Sequence, residues 1–249
     1  MSFSGTADSS PRPLKTTLGV YHTYVWQRKV MKFHLLSGLW RSYRRYIDNI
    51  ETLIASLRKD VPLSDDDIQR LFEKPELELD LDYSYEETIE NISSFPEVLR
   101  RSAFLSAFIL LESNLETICS HLEIANNSPI KAKDLRGSGI MRASKYIRSL
   151  HNYEISSTKH WPEILRFQDI RNILVHSNGE FSEEMLNQPV GKYVKVSQLV
   201  AYEKRDSANY YVLSVKKGFC EHAATIIEEF FKSFPADLFP PSRLVEKGN

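Results

Sequence analysis

The sequence predicts an all-α fold, an up-and-down helical bundle with a small β-hairpin before its last helix. Three observations carry this. Apolar residues recur in alternating steps of three and four from Phe33 to Leu57, along Phe104 to Leu122, and again from Phe219 to Phe234; this spacing lays one stripe along an α-helix. Between these stretches stand helix breakers, such as Asn126-Asn127-Ser128-Pro129 and Gly137-Ser138-Gly139. Finally, two runs rich in Val and Tyr, Tyr193 to Tyr202 and Tyr210 to Val215, flank a turn region at Lys204 to Asn209.

The chain has 249 residues, 42% of them hydrophobic and 26% charged, enough for one substantial core or two small ones. With a net charge of −1 there is no global basic field, so a nucleic-acid site must be a local patch. Cys119 and Cys220 fall inside apolar helical patterns and read as small core residues. The N-terminus lacks the apolar segment of a signal peptide, and no unbroken run of about 18 apolar residues occurs. The expectation is a cytoplasmic protein with no membrane association.

Residues 1–19 are rich in Ser, Thr, Pro and Gly without periodicity and read as a mobile tail. Residues 20–93 form a long N-terminal helix and an acidic connector packed on the core. In the helix, Phe33, Leu36, Trp40, Tyr43, Ile47, Ile50, Ile54 and Leu57 keep heptad spacing, a narrow seam that faces either a neighbour in the same bundle or another chain. Arg41, Arg44 and Arg45 stand beside Trp40, Tyr43 and Tyr46, as a solvated shoulder or an RNA-binding face. Ser64-Asp65-Asp66-Asp67 starts a short helix running to Phe72. Acid and leucine then alternate around Pro75, and a further short helix is expected at Glu86 to Ser93.

Residues 94–236 form the helical core, and 237–249 a C-terminal tail. A helix starting near Pro96 and reaching Ile124 buries Phe104, Phe108, Leu111, Leu115, Ile118 and Leu122. Glu112 lies at the border of that stripe and needs a cation, Arg171 or Arg142. Ile140 to Leu150 reads as a helix whose Arg142, Lys145 and Arg148 make a basic ridge. The last helix, from about Lys217 to Phe234, buries Phe219, Ala223, Ile227, Phe230 and Phe234, and Pro235 ends it.

The most informative stretch closes a helix that begins near Trp161: Arg171-Asn172-Ile173-Leu174-Val175-His176-Ser177-Asn178-Gly179. At ~100° per residue, Phe167, Ile170 and Leu174 form the apolar stripe. Arg171 falls on its edge, while Gln168, Asn172 and His176 climb the adjoining flank with Asp169 close by. An Arg against a core face must find an anion or several acceptors. His176 occupies the last turn before Gly179, where the helix dipole favours the imidazolium. An Arg, an amide and a titratable His at one helix end can hold a phosphate and move a proton. Equally, the Arg can pair with a core Glu and the His can cap the helix.

Arg171-Asn172, three more residues and then His176 resembles the motif of the HEPN superfamily: Arg, four to six residues, then His, with a polar residue directly after the Arg. The Val-His-Ser-Asn-Gly exit and the long upstream helix containing Phe108-Ile109-Leu110-Leu111-Glu112-Ser113-Asn114-Leu115-Glu116 are similar to it as well. The resemblance covers roughly Ser94 to Phe234. It implies a helical bundle that pairs across a twofold with the two motifs facing one cleft, and a metal-independent ribonuclease. His176 would then be the general acid/base, Arg171 the phosphate clamp and Asn172 the orienting amide. Arg142, Lys145, Gln168 and Asn178 are candidate substrate-binding residues, and Glu112 a supporting anchor for Arg171. The partners implied are RNA, a second copy of the chain, and an antitoxin or partner protein; no cofactor or metal is expected. A non-catalytic HEPN-like module binding RNA, a nucleotide or a protein partner is the alternative.

Overall fold

The protein is described from a computed structural model over residues 38–57, 83–137, 139–205 and 210–239. The expected tail at 1–19, the seam residues Phe33 and Leu36, the short helix at 64–72, the acidic connector at 73–82 and residues 240–249 lie outside the described residues. Helix α1 covers 38–57, α2 Tyr83–Ala125, α3 Gly139–His151, α4 Trp161–His176, α5 Pro189–Val196 and α6 Phe219–Lys232. Strands β1 Glu180–Ser182, β2 Val200–Lys204 and β3 Tyr210–Val215 form one antiparallel sheet in the order β1-β3-β2. Among the described residues the architecture is mostly helical, with this small sheet beside the helices.

The heptad seam of α1 is filled from within the chain. Trp40, Tyr43, Ile47, Ile50 and Ile54 are all buried in the same core cluster as α2, α4 and α6. The Tyr43 hydroxyl donates to the Ala103 carbonyl at 2.6 Å, and Arg100 grips Glu51 through two N–H groups at 2.7 and 2.8 Å. Arg44, one of the basic shoulder residues, is committed to Glu228 of α6 at 2.8 Å. That contact gives Arg44 a structural role, while Arg41 and Arg45 are exposed.

Helix α2 is the spine. Its stripe of Phe104, Phe108, Leu111, Leu115, Ile118 and Leu122 is buried as the spacing predicts, and it packs against α3, α4, α6 and β3. Its start is corrected: there is no break between a short helix at 86–93 and a second from Pro96, because one helix of 43 residues runs through that proline. By length and composition alone Ser94–Ala125 can cross a membrane; the count of unbroken apolar runs missed this. Here its apolar stripe is turned into the protein core.

Three further expectations change. The run from Tyr193 to Val196 is helical rather than extended, because Pro189 starts α5 and Gly191 packs onto the preceding turn. A Cβ at Gly191 would overlap the Met185 carbonyl and Leu186, so this close approach fixes the helix in place. The hairpin consequently starts at Val200, and it gains β1 as a third strand, with Phe181 opposite Tyr211 and Val200 opposite Val215. The all-α expectation is corrected to that extent. Finally, the core continues past Pro235: a 3-10 turn at Ala236–Leu238 buries Leu238 and Phe239 against it, because both are large apolar groups at the end of α6.

Candidate functional site

Helix α4 brings the motif together. Ile164, Phe167, Ile170 and Leu174 anchor one face in the core, each 3% exposed or less. That fixes the helix rotation and leaves Arg171 and Asn172 half-buried and His176 exposed at the C-terminal turn. The Arg171 guanidinium carbon lies 6.0 Å from the centre of the Phe108 ring on α2, a cation–π placement that orients the side chain. Its Nη1 donates to Asn172 Oδ1 at 3.0 Å and lies 3.4 Å from His176 Nε2. Arg has no acceptor, so His176 Nε2 must be the acceptor in that contact. The three motif residues are therefore one hydrogen-bonded group.

The turn that carries His176 is fastened from α2. Arg101 Nη2 donates to the Leu174 carbonyl at 2.9 Å, and Nη1 to Asn178 Oδ1 at 3.1 Å. Asn178 (φ 51°) and Gly179 (φ 89°) both adopt left-handed backbone, and the Gly179 N–H returns to the Ile173 carbonyl at 3.0 Å. Gly179 is needed here: a Cβ would meet the Leu213 carbonyl at 3.1 Å and Arg101 Nη2 at 3.3 Å.

The motif opens into a cavity of about 710 Å³. Phe108 and Glu112 of α2, Gly139 of α3, and Gln168, Asp169, Arg171, Asn172 and His176 of α4 line it. Met185, Gln188 and Val190, before and within α5, form the remaining wall. A second cavity of about 320 Å³ adjoins it and shares Glu112 and Gly139.

Two carboxylates, Glu112 and Asp169, stand in the first cavity with no ion pair to any described residue. Glu112 makes no ion pair within 4.0 Å among the described residues, and what joins it to Arg171 is the longer-range attraction of the two charges. The hydrogen bonds of Arg171 go to neighbours on its own helix, Asn172 and His176. Burial pushes the Glu112 carboxyl up, Arg171 and Arg142 pull it back down, and Glu116 adds to the rise. Burial alone pushes Asp169 up. The Glu112 carboxylate rests against Gly139, whose φ is 49°, and a Cβ there would meet Glu112 Oε1 at 2.5 Å.

The remaining candidates separate. Gln168 lines the cavity with the motif. Arg142 lines the adjoining one, one step removed. Lys145 is exposed and donates to the Arg136 carbonyl at 3.3 Å, so it braces the turn before α3. Asn178 does not line the cavity: its side chain belongs to the Arg101 clasp. Sequence reasoning missed Arg101 and the Met185–Val190 wall, which lie on other elements, and it gave Asp169 no role although the wheel placed it beside His176. No group of three or more His, Cys, Asp or Glu side chains that could hold a metal occurs among the described residues.

No protein-family model matches the chain, and comparisons with curated proteins and with solved structures also find no match.

Proposed function

We propose that the chain is a HEPN-like, metal-independent endoribonuclease. The observation that carries this reading is the single hydrogen-bonded group of Arg171, Asn172 and His176 at the mouth of a cavity of about 710 Å³. The chemistry suits these residues. The 2′-OH of RNA attacks its own phosphodiester, so the enzyme supplies a proton acceptor, a proton donor and positive charge for the transition state. Arg171 and Asn172 hold the phosphate, His176 transfers a proton, and Gln168 contacts the substrate beside them. A phosphate entering the cavity replaces His176 and Asn172 as the acceptor of the Arg171 N–H groups.

The partners in this reading are RNA and a second copy of the chain, with an antitoxin or other protein as inhibitor. The setting is cytoplasmic, in toxin–antitoxin, antiviral or RNA-processing work. Apolar surface beside the motif supports a homodimer: Val175, between Arg171 and His176 on α4, is 47% exposed. A HEPN-like module that binds without cutting is the second reading. It is favoured by the resting state of Arg171, whose Nη1 is engaged by Asn172 and His176 of its own helix.

Purified protein incubated with single-stranded RNA in excess chelator tests this. We expect cleavage that leaves a 2′,3′-cyclic phosphate, and no cleavage of an analogue with 2′-deoxyribose at the cut position. His176→Ala and Arg171→Ala should each lose at least ~10²-fold in rate. Binding without cutting between about pH 6 and 8 favours the non-catalytic module, and cutting that survives His176→Ala shows that another residue moves the proton.

A further inference from the structure

Cleavage by the 2′-OH moves two protons. One leaves O2′ as it attacks phosphorus, and one reaches O5′ as the P–O5′ bond breaks. Within one chain the motif offers a single titratable group for both, His176. A second group lines the same cavity on the same helix. Asp169 precedes His176 by seven residues, close to two helical turns, so the two project at nearly one azimuth about 10 Å apart along the axis. Asn172 lies between them, and the Arg171 guanidinium reaches across to this flank to meet Asn172 and His176. A phosphate held by Arg171 and Asn172 therefore has the imidazole on one side and the Asp169 carboxylate on the other. An in-line displacement needs this disposition, because the attacking and leaving oxygens stand on opposite faces of phosphorus.

Asp169 is half-buried, yet it has no hydrogen bond or ion pair to any described residue, so its carboxylate is free for a ligand. Burial raises its proton affinity, with no neighbouring charge among the causes. The charged or titratable side chains that share its cavity are Arg171 and His176 from α4 and Glu112 from α2; the wall before and within α5 presents Met185, Gln188 and Val190.

We propose that Asp169 is the second proton-transfer residue, a catalytic base that completes the site within one protomer. This rests on the ribonuclease reading and assigns the base that reading otherwise takes from a second histidine. The Asp169 carboxylate takes the proton from O2′ as the O2′–P bond forms. Protonated His176 gives a proton to O5′ as the P–O5′ bond breaks. The products are a 2′,3′-cyclic phosphate and a 5′-hydroxyl, and exchange with solvent restores both groups. A dimer then carries two complete sites rather than two halves of one.

The test uses the full chain and two RNAs that differ in one atom at the cut: ordinary RNA, and RNA with sulfur in place of the bridging O5′. A thiolate is a far weaker base than an alkoxide and leaves without a proton. On ordinary RNA, Asp169→Asn and His176→Ala should each lose at least ~10²-fold in rate. On the sulfur RNA, His176→Ala should recover most of its loss and Asp169→Asn should not, because O2′ still lacks its base. Asp169→Asn should melt no lower than wild type, since the lost charge had no partner; this separates a catalytic loss from a structural one. Asp169→Glu, which keeps a carboxylate, should retain part of the rate. Wild-type rates for Asp169→Asn overturn the proposal, as does sulfur rescue of Asp169→Asn instead of His176→Ala. Wild-type protein that cuts neither RNA overturns the ribonuclease reading, and the role of Asp169 falls with it.

Discussion

The two ends of α4 use the same kinds of residue for opposite ends. At the N-terminal end Glu163 accepts from Arg166 at 2.7 Å and from His222 of α6 at 3.2 Å, and Arg166 lies over the Tyr193 ring of α5. The His222 hydrogen bond, with Arg166 and Tyr193 acting alongside it, holds the Glu163 carboxyl below the usual range against the effect of burial. At the C-terminal end Arg171, Asn172 and His176 bind one another while Glu112 and Asp169 make no ion pair to any described residue, both pushed up by burial. The first is a closed network that ties α4 to α5 and α6. The second keeps carboxylates facing a cavity without a bond to any described residue, where burial of charge costs stability and the groups remain free for a ligand. Composition does not separate a strut from a site here; the satisfaction of each polar group does.

The largest expected effect abolishes the comparison. Phe167 lies between the two ends, 0% exposed, with its ring against Phe104, Phe219 and His222. Phe167→Ala leaves a cavity under both networks and should cost about 3–5 kcal/mol. Chemical denaturation should show a lower midpoint at unchanged slope. A loss confined to activity, with the midpoint kept, would mean that the two ends do not share this core.

Breaking the closed end alone is smaller and depends on pH. Glu163→Gln removes the negative charge and one of the two acceptor oxygens and should cost about 1 kcal/mol, at the low end for charge-assisted bonds because water reaches Arg166 and His222. The folded-state pKa of Glu163 lies below its unfolded value. Its contribution is therefore present above the unfolded value and is lost as pH falls through the folded one. Wild type and variant should differ at neutral pH and converge in acid. A constant difference across that range would show that packing, not charge, is what the substitution removes.

Much of this was legible because it is local in sequence. The α1 seam and the α2 stripe repeat every three or four residues, and Trp40, Tyr43, Phe104 and Leu111 are buried where the period puts them. Arg171, Asn172 and His176 share one helix, so a wheel suffices to bring them together. What comes from other elements was not legible. Arg101 reaches the motif turn from α2, more than seventy residues upstream. Strand β1 is three residues long and is defined by pairing with β3. The helical path from Tyr193 to Val196 depends on Gly191 fitting against Met185 and Leu186, which no periodicity records. The wheel put Glu112 at a border but could not say that Arg171 would turn to its own helix.

The smallest expected effect has the opposite sign and sharpens the comparison most. At the open end Glu112 has no ion pair among the described residues, its carboxylate lies against Gly139, and burial outweighs the pull of Arg171 and Arg142. The folded state therefore disfavours its charged form. A carboxyl with a raised folded-state pKa adds stability while protonated and withdraws it as pH rises through the acid range to neutrality. Glu112→Gln keeps the shape without the charge, so it should leave stability in acid unchanged and raise it slightly at neutral pH. Under about 0.5 kcal/mol is expected for a half-buried group, roughly 1–2 °C in melting temperature. Thermal melts of wild type, Glu112→Gln and Glu163→Gln at one neutral and one acidic pH would separate the two ends in a single data set. If Glu112→Gln melts lower than wild type at neutral pH, its carboxylate has a stabilising partner in solution, and the open end is a second closed one.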